Sequence, residues 1–351
     1  MFFSDKAKGF FVELNDHSVL LARTSSAAPP FTIEEMRECP AKDSTALEQA
    51  IIQIQGSKKS PTGYLNATVA VYPARRLVRR HSLELKRVRE PGYFAELCTQ
   101  QFRVDQDQYT IAILNATDGS DYDVTKAAQK DVLFCGLPTE DANALQASLL
   151  ESGIYPERIE IGAVSVLGGL VNYLAHIKSR TPTLVLEIGA ESSHSFIVTA
   201  NGVEASRPIP LGLDAMVPIV QKELGLKDEE SARKLFYSNT FDFTGMGPLL
   251  IKRLLKELQS SIGFYEVQTG QSVGQLLSVQ LSPKLAWLDA AIASSLGIAG
   301  LKLDLLPWAQ SHQVTLAESL IPQAQDPRWF GLLSLMAQYD SAHALVVEEK
   351  K

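Results

Sequence analysis

The sequence predicts an α/β protein of about two domains, in which a unit that begins with a strand–turn–strand pattern occurs twice. The chain has 351 residues, which is long for one hydrophobic core. With 45% hydrophobic and 21% charged residues, its composition is that of an ordinary soluble globular protein. Two segments, "FFVELNDHSVLLA" (10–22) and "LVLEIGAESSHSFIV" (184–198), share the order strand, glutamate, polar turn, strand. Their spacing indicates duplication of a β-rich α/β unit.

In the first half, short apolar runs alternate with segments of helical spacing. The segment at 44–55 starts with a Ser-Thr pair suited to capping, so it predicts a helix. A threonine at the start of 139–154 and a glycine near its end predict another. The other elements expected here are strands at 10–23, at the start of 66–85, at 108–117 and at 130–138, a helix at 90–102, and a short strand with an apolar helix within 156–177.

A break in composition at "KSRTPT" (178–183) separates the two halves, and the strand–turn–strand pattern restarts directly after it. The segment at 244–270 has apolar residues at intervals of three and four, which predicts a long amphipathic helix. The other elements expected in this half are helices at 212–226, 227–238, 283–297 and 328–342, and strands at 274–282 and 301–307.

Charge and cysteine usage exclude several classes of protein. A net charge of −7 argues against a general nucleic-acid binder, because neutralising phosphates needs a basic surface. Three widely spaced cysteines without a CxxC pair indicate neither a zinc site nor a disulfide framework, so a reducing cytoplasm is the simplest compartment. The longest apolar stretch, residues 161–175, is shorter than the ~20 residues of a spanning helix. No Walker A, HExxH or G-x-S-x-G pattern is present, so we assign no catalytic residue and no metal site.

The turn that opens the second half has the residue types of a phosphate-binding loop. Its small and hydroxyl residues can offer N–H and O–H groups to phosphate oxygens, and Glu187 can hold a magnesium-bound water. The alternative is an ordinary hairpin turn, in which glycine and serine serve the backbone conformation. The candidate residues are Glu187, Gly189, Ala190, Glu191, Ser192 and Ser193.

The run from 184 to 238 resembles the actin-like ATPase superfamily, and most closely its PilM branch, the cytoplasmic assembly protein of type IV pili. The resemblance lies in the D-I-G-A-type turn at "LEIGA", the hairpin at Asn201-Gly202, and "SRPIPLG" leading into a helix. Upstream, 67–88 resembles the inserted subdomain that PilM shares with the division protein FtsA.

The resemblance implies an actin-like (ribonuclease H-like) duplicated fold of two domains with a small inserted subdomain. Domain I is expected at 1–178 with 331–351, the inserted PilM/FtsA-type subdomain at 73–131, and domain II at 179–330.

The resemblance also implies ATP and Mg²⁺ as cofactors, held between two phosphate loops. The first loop is Glu13 with Asn15, Asp16 and His17, the second is the turn at 187–193, and Glu230 with Lys234 would face the adenosine.

Several residues depart from that pattern. Glu13 and Glu187 stand where the family has aspartates, which moves each carboxylate outward by one methylene. Asn15 replaces a glycine at which the backbone would approach phosphate, and Pro283 with Lys284 replaces a glycine pair on the adenosine side. These departures predict a degenerate nucleotide pocket without efficient turnover.

A basic segment contains Arg75, Arg76, Arg79 and Arg80 with few aromatic residues between them, which argues against nucleic-acid binding. One interpretation is a solvated strand edge that is protected from aggregation by charge. The resemblance implies another, because this region of PilM borders the groove that receives the cytosolic N-terminal peptide of PilN.

We therefore expect a PilM-like cytoplasmic scaffold of a type IV pilus or related secretion system, held at the inner membrane through a PilN-like partner. Two alternatives stay open: an active ATPase or small-molecule kinase of the same fold, and an FtsA-like division protein. The last residues, "HALVVEEKK", are short and acidic, unlike the amphipathic membrane helix of FtsA, which favours the pilus branch. Assembly into a homo-oligomer also stays open.

Overall fold

The computed structural model describes residues 8–56, 63–126, 129–238 and 240–337. The chain divides into two compact units, each described here by itself. Unit 1 contains the residues up to Ile177 and those from Leu303 onward, and unit 2 is Lys178–Lys302.

Strands and helices alternate along the chain, as the sequence predicts. The strands are β1 (Gly9–Leu14), β2 (Ser18–Thr24), β3 (Phe31–Pro40), β4 (Leu65–Val71), β5 (Leu77–Ser82), β6 (Tyr109–Asn115), β7 (Asp131–Pro138), β8 (Ile154–Ile161), β9 (Thr183–Ile188), β10 (Ser193–Thr199), β11 (Gly202–Ile209), β12 (Gln275–Val279), β13 (Ala299–Gly300) and β14 (Val314–Leu316). The helices are α1 (Ser44–Gln55), α2 (Tyr93–Leu97), α3 (Thr139–Glu151), α4 (Gly162–His176), α5 (Val217–Glu223), α6 (Glu229–Ser238), α7 (Gly247–Leu250), α8 (Lys252–Thr269), α9 (Ala286–Leu296), α10 (Leu305–Ser311), α11 (Ile321–Ala324) and α12, described over 330–337.

Unit 1 is built on a six-stranded mixed sheet in the order β14-β3-β2-β1-β4-β8. β1 pairs antiparallel with β2 and parallel with β4, so it lies in the interior of the sheet. Its neighbour β4 is apolar and almost entirely buried, as expected for a strand covered on both faces. The face that α1 covers forms a core around Val12, Val69 and Ile54.

A second sheet in unit 1 has three antiparallel strands in the order β5-β7-β6. One face carries Leu77, Val132 and Phe134, which pack with Tyr93 and Leu97 of α2 into a separate apolar core. β5, α2 and β6 lie within 73–131, where the sequence predicts an inserted subdomain, whereas the central strand β7 begins only at the end of that segment.

Unit 2 is built on a five-stranded sheet in the order β11-β10-β9-β12-β13. β9 pairs antiparallel with β10 and parallel with β12, repeating the environment of β1 in unit 1. Its core gathers Leu184, Leu186, Phe236, Leu258 and residues of helices α5 to α9. Each unit therefore places a strand–turn–strand hairpin inside a mixed sheet.

Some local predictions differ from the structure. β3 was not predicted. Residues 301–307, predicted as a strand, instead lead into α10. The long helix predicted at 244–270 is divided into a short 3₁₀ turn, α7 and α8, because the chain bends at Ile251.

The predicted extent of domain II, 179–330, also differs from that of unit 2, Lys178–Lys302. Residues 303–330 lie in unit 1 because β14 pairs in parallel with β3, with Val314 opposite Phe31.

Helices α4 and α12 of unit 1 approach each other closely at a glycine. A Cβ added at Gly169 would lie 2.6 Å from the Cβ of Ser334, nearer than side-chain atoms can approach. Both positions are buried, so this contact leaves no free volume for a larger residue.

We expect Gly169→Ala to lower the free energy of unfolding of unit 1 by about 1–3 kcal/mol, because the added methyl group overpacks this contact. Urea denaturation measures the change. Gly263→Ala, also inside a helix but with nothing within 4 Å of the added Cβ, is the matched control. It should stabilise unit 2 by about 0.5–1 kcal/mol. Equal destabilisation by both variants would contradict the overpacking argument.

Candidate functional site

The side chain of Asn15 closes the first candidate phosphate loop, the turn between β1 and β2. Its Oδ1 accepts hydrogen bonds from the backbone N–H groups of His17 (2.9 Å) and Ser18 (2.8 Å). The N–H of Asn15 itself donates to the carbonyl oxygen of Ser18 at 3.1 Å. This is an Asx-type turn, in which an amide oxygen accepts the bonds that an external anion would otherwise accept. Three donors of the loop are therefore engaged inside the loop.

Glu13 lies at the end of β1 with its carboxylate buried, 3% exposed. Oε1 accepts a hydrogen bond from the Tyr72 hydroxyl at 3.2 Å. A Cβ added at Gly331, in the first turn of α12, would lie 2.7 Å from the same oxygen. One added at Gly162, at the start of α4, would lie 2.6 Å from the Tyr72 hydroxyl oxygen. The N-terminus of α12 thus lies close to the Glu13 carboxylate, and the N-terminus of α4 lies close to Tyr72. The positive end of a helix dipole favours negative charge nearby.

The second candidate loop, between β9 and β10, is closed differently. The N–H of Gly189 donates to the Ser192 carbonyl oxygen at 3.0 Å. The carbonyl oxygens of Gly189 and Ala190 accept from the N–H groups of Leu213 (3.0 Å) and Asp214 (2.8 Å). The loop and the backbone before Leu213 can come this close only because residue 212 is a glycine. A Cβ at Gly212 would lie 2.6 Å from the Ala190 carbonyl carbon. The carbonyl side of the loop is therefore held by the helical turn at Leu213–Met216.

The N–H side of the same loop is open. Within the described residues, the N–H groups of Ala190, Glu191 and Ser192 have no hydrogen-bond acceptor. Successive free N–H groups in a turn are the arrangement that proteins use to bind anions. The Ser193 hydroxyl does not belong to this set, because it donates to the Leu211 carbonyl oxygen at 2.7 Å. The two loops thus differ: in the first, the N–H groups of Asn15, His17 and Ser18 are satisfied within the loop, and in the second, three successive N–H groups are available.

Glu187, like Glu13, is buried and 3% exposed. In the hairpin register it lies directly opposite His194, which is also buried. Opposed acidic and basic side chains on one face of a sheet stabilise the pairing of their strands. Both predicted acids therefore lie inside the protein.

The predicted pair Glu230 and Lys234 forms an ion pair on the surface of α6, with Nζ 2.7 Å from the carboxylate and both side chains about three-quarters exposed. The neighbouring Arg233 points elsewhere and donates to Asp214, which also accepts from the Tyr237 hydroxyl at 3.0 Å. Since the backbone of Asp214 holds the second loop, this network supports that loop. No local sequence pattern indicates this network, because the loop and α6 are separated in the chain.

The segment after β12, expected on the adenosine side, forms a capped helical turn. Pro283 occupies its first position, and the hydroxyl of the preceding Ser282 accepts from the N–H of Lys284 at 3.4 Å. Gln280 adopts a left-handed backbone with φ of 66°, a conformation that glycine adopts at lower cost. Burial raises the pKa of Asp289, on the following helix, although a hydrogen bond from the Ser278 hydroxyl opposes the shift.

The donors present do not fit Mg-ATP. The first loop has no backbone donor to spare at Asn15, His17 or Ser18, because Asn15 and Ser18 accept those bonds. Glu13 and Glu187 are buried, so neither carboxylate is placed to hold the water shell of a magnesium ion. In the described residues, no cluster of three or more His, Cys, Asp or Glu side chains could bind a metal ion. The second loop, by contrast, retains three successive N–H groups that have no acceptor among the described residues and could bind a phosphate.

Three of the four arginines predicted to bind a partner are engaged within the chain. Arg75 forms a bidentate pair with Asp141 of α3, with Nε 2.8 Å from its carboxylate. Arg80 lies 2.8 Å from the Asp131 carboxylate. Arg76 donates to the Pro73 carbonyl oxygen at 3.0 Å. The fourth, Arg79, is half-buried on β5, and the structure gives its guanidinium no hydrogen bond or ion pair among the described residues.

Unit 2 contains a polar cleft at the opposite end of its sheet from the second loop. It has a volume of about 630 Å³ and is lined by residues before β9, around the β10–β11 turn and after α8. Arg180, Thr199, Asn201 and Gln271 are among these residues. The cleft is therefore separate from the second candidate loop.

The fold is that of the actin-like α/β proteins, which confirms the sequence prediction. The chain is similar over 95% of its length, and over 99% of the other, to a chain of a PilM-PilN type IV pilus biogenesis complex, with a TM-score of 0.65 and 17% identity. At this identity the likeness establishes the fold.

Two further solved structures match at lower TM-scores. The ethanolamine utilization protein EutJ from Carboxydothermus hydrogenoformans has a TM-score of 0.45 and 10% identity, with 94% of this chain and 89% of the other covered. MreB 5 of Spiroplasma citri, bound to AMPPNP, has a TM-score of 0.46 and 8% identity, covering 99% and 100%. No protein-family model and no curated protein matches the chain. Among the described helices, none combines the length and apolar character that crossing a bilayer requires.

We expect Asn15→Ala to lower the free energy of unfolding by about 1–2 kcal/mol, because the N–H groups of His17 and Ser18 lose their acceptor in a half-buried turn. Asn201→Ala is the matched control, since that exposed turn asparagine makes no side-chain hydrogen bond among the described residues. It should change stability by less than about 0.5 kcal/mol. Urea denaturation compares the two, and an equally small effect of Asn15→Ala would contradict the closed-loop interpretation.

Proposed function

We propose that this protein is a PilM-like cytoplasmic scaffold of a type IV pilus or related secretion assembly platform. The observation that carries the proposal is the likeness to a chain of the PilM-PilN complex over nearly the whole of both chains. The partner would be a PilN-like inner-membrane protein, bound through its cytosolic N-terminal tail. The scaffold would then lie at the inner membrane through that partner.

The closed first loop supports a scaffold over an ATPase. Phosphoryl transfer depends on donors and a metal ion positioned around the phosphates. Here the donors of Asn15, His17 and Ser18 are satisfied internally, and Glu13 is buried against Tyr72. The internal bonds hold the β1–β2 hairpin in shape without a nucleotide. A surface for protein recognition benefits from such preorganisation, because less order has to be gained on binding.

The inserted subdomain supports protein recognition. Its small sheet has its own core and two outer strands, β5 and β6. Within the described residues β5 pairs on one side only, whereas the outer side of β6 is bridged at Leu114 by Asp121. Outer strands of this kind accept an extended peptide by adding it to the sheet.

The first test is capture of a membrane-protein tail. A synthetic peptide of about twenty residues, the cytosolic N-terminus of a PilN-like single-span membrane protein from the same organism, should bind with a micromolar or lower Kd in calorimetry. A scrambled peptide of the same composition is the control. Equal binding of both peptides, or binding of neither, would refute the proposed partner.

The second test is titration with Mg-ATP. We expect no micromolar binding and no steady release of phosphate, because the first loop and both buried glutamates leave the nucleotide without its usual ligands. Isothermal calorimetry and a phosphate-release assay measure the two quantities. Micromolar binding with steady turnover would instead establish an active ATPase and contradict the scaffold proposal.

A further inference from the structure

The polar cleft of unit 2 lies where three segments leave the sheet side by side. β9 begins at Thr183, which is opposite Val198 near the end of β10 and opposite Gln275 at the start of β12. The residues before β9, in the β10–β11 turn and after α8 therefore meet at one end of the sheet, where they line the cleft. Its volume of about 630 Å³ is within the range of small-molecule sites.

Bonds within the chain hold these three segments in place. The Pro182 carbonyl oxygen accepts a hydrogen bond from the N–H of Gly274 at 3.1 Å. The same approach leaves no room for a side chain, since a Cβ added at Gly274 would lie 2.7 Å from Cγ2 of Thr181. In the β10–β11 turn, the N–H of Asn201 donates to the Thr199 hydroxyl oxygen at 3.1 Å. The cleft is therefore formed before any ligand binds, so little order has to be gained on binding.

Several polar side chains of the lining are available to a ligand. The exposed guanidinium of Arg180 has no hydrogen bond or ion pair among the described residues. The Asn201 amide and the Ser272 hydroxyl likewise make no side-chain hydrogen bond there. Oε1 of Gln271 accepts from the Tyr265 hydroxyl at 3.3 Å, which leaves its NH₂ group as a donor. The cleft thus combines one cation with neutral amide and hydroxyl groups.

The composition of the lining selects the class of ligand. Its residues, all in the described part of the chain, include no acid and no aromatic ring. The two nearest acids in sequence are engaged elsewhere: Glu204 accepts from the Thr199 hydroxyl at 3.1 Å, and Glu266 from the N–H of Val273 at 3.0 Å. A cation would therefore find no counter-charge in the lining, and a nucleobase would find no ring to stack on.

The groups that are present match a ligand that is polar throughout. A guanidinium pairs in a bidentate manner with phosphate or carboxylate oxygens. Amide and hydroxyl side chains both donate and accept, as the hydroxyl groups of a sugar require.

We propose that this cleft binds a small polyhydroxylated anion, a phosphorylated or carboxylated sugar, with its charged group on Arg180 and its hydroxyl groups on Asn201, Gln271 and Ser272. The site is distinct from the second candidate loop, which lies at the other end of the same sheet. The inference goes beyond the proposed function and does not depend on it.

Calorimetric titration of the full chain with glucose 6-phosphate and with gluconate tests the ligand class. At least one of the two should bind with a Kd below about 1 mM, and the better one identifies the charged group. Glucose, which lacks the charge, and inorganic phosphate, which lacks the hydroxyl groups, should bind at least about tenfold more weakly. Binding of neither sugar anion, or equally tight binding of inorganic phosphate, would overturn the inference.

Substitutions in the cleft test the residues. Arg180→Gln should weaken binding of the better probe at least about tenfold, because its charge-assisted hydrogen bonds are lost. Asn201→Asp should weaken it as well, because it adds a negative charge at nearly constant size. Arg253→Gln is the matched control, since Arg253 is exposed on α8 outside the lining and has no ion pair among the described residues. Its affinity should stay within about twofold.

All three substituted side chains are exposed, so the thermal unfolding midpoints of the variants should match that of the wild type. Unchanged affinity of Arg180→Gln, or an equal loss in Arg253→Gln, would contradict the assignment to this cleft.

Amide hydrogen exchange locates the ligand without any substitution. The better probe should slow exchange at 199–201 and 271–272, which line the cleft, and leave 189–193 of the second candidate loop unchanged. Protection of 189–193 instead would place the anion on that loop and overturn the inference. None of these outcomes bears on capture of a membrane-protein tail, so the two proposals fail separately.

Discussion

The buried carboxylate of Glu13 is the point at which the main elements of unit 1 meet. β1 carries it, Tyr72 at the end of β4 donates to it, and α12 begins against it at Gly331. Gly162 brings the start of α4 against Tyr72 in the same way. A carboxyl group enclosed in this manner is costly to bury without a hydrogen-bond partner, so the contact with Tyr72 and the close approach of Gly331 fix these elements relative to one another.

The two hairpins show how a duplicated unit can diverge in use. Both place a buried glutamate at the end of a strand in a mixed sheet. In the first, the side-chain oxygen of Asn15 accepts hydrogen bonds from the N–H groups of His17 and Ser18. In the second, the helical turn after Gly212 holds the carbonyl groups of the loop, and Arg233 supports that turn through Asp214. The loop N–H groups of Asn15, His17 and Ser18 in unit 1 thus bond within their own turn, whereas three loop N–H groups in unit 2 are available to an anion.

The arginines of the inserted subdomain show that local composition is a poor guide to available charge. Four arginines within six residues suggest a basic surface, but ion pairs and a backbone carbonyl engage three of them. Surface pairs of this kind contribute little to stability, yet they remove the charges from recognition. Of the four, Arg79 on the outer strand β5 has no such partner among the described residues. A single arginine at a defined position is a more specific feature than a basic patch.

The sequence by itself determined the α/β class, the repeated strand–turn–strand unit and most helices, because hydrophobic periodicity and capping residues act over a few positions. It also indicated Glu13, Asn15 and Glu187 as departures from an ATPase. Only the tertiary structure decided that Asn15 turns its amide inward, that Gly331 meets Glu13, and that β14 joins β3. These contacts join residues that are distant in the chain, or select one rotamer among several, and packing of the whole unit determines both.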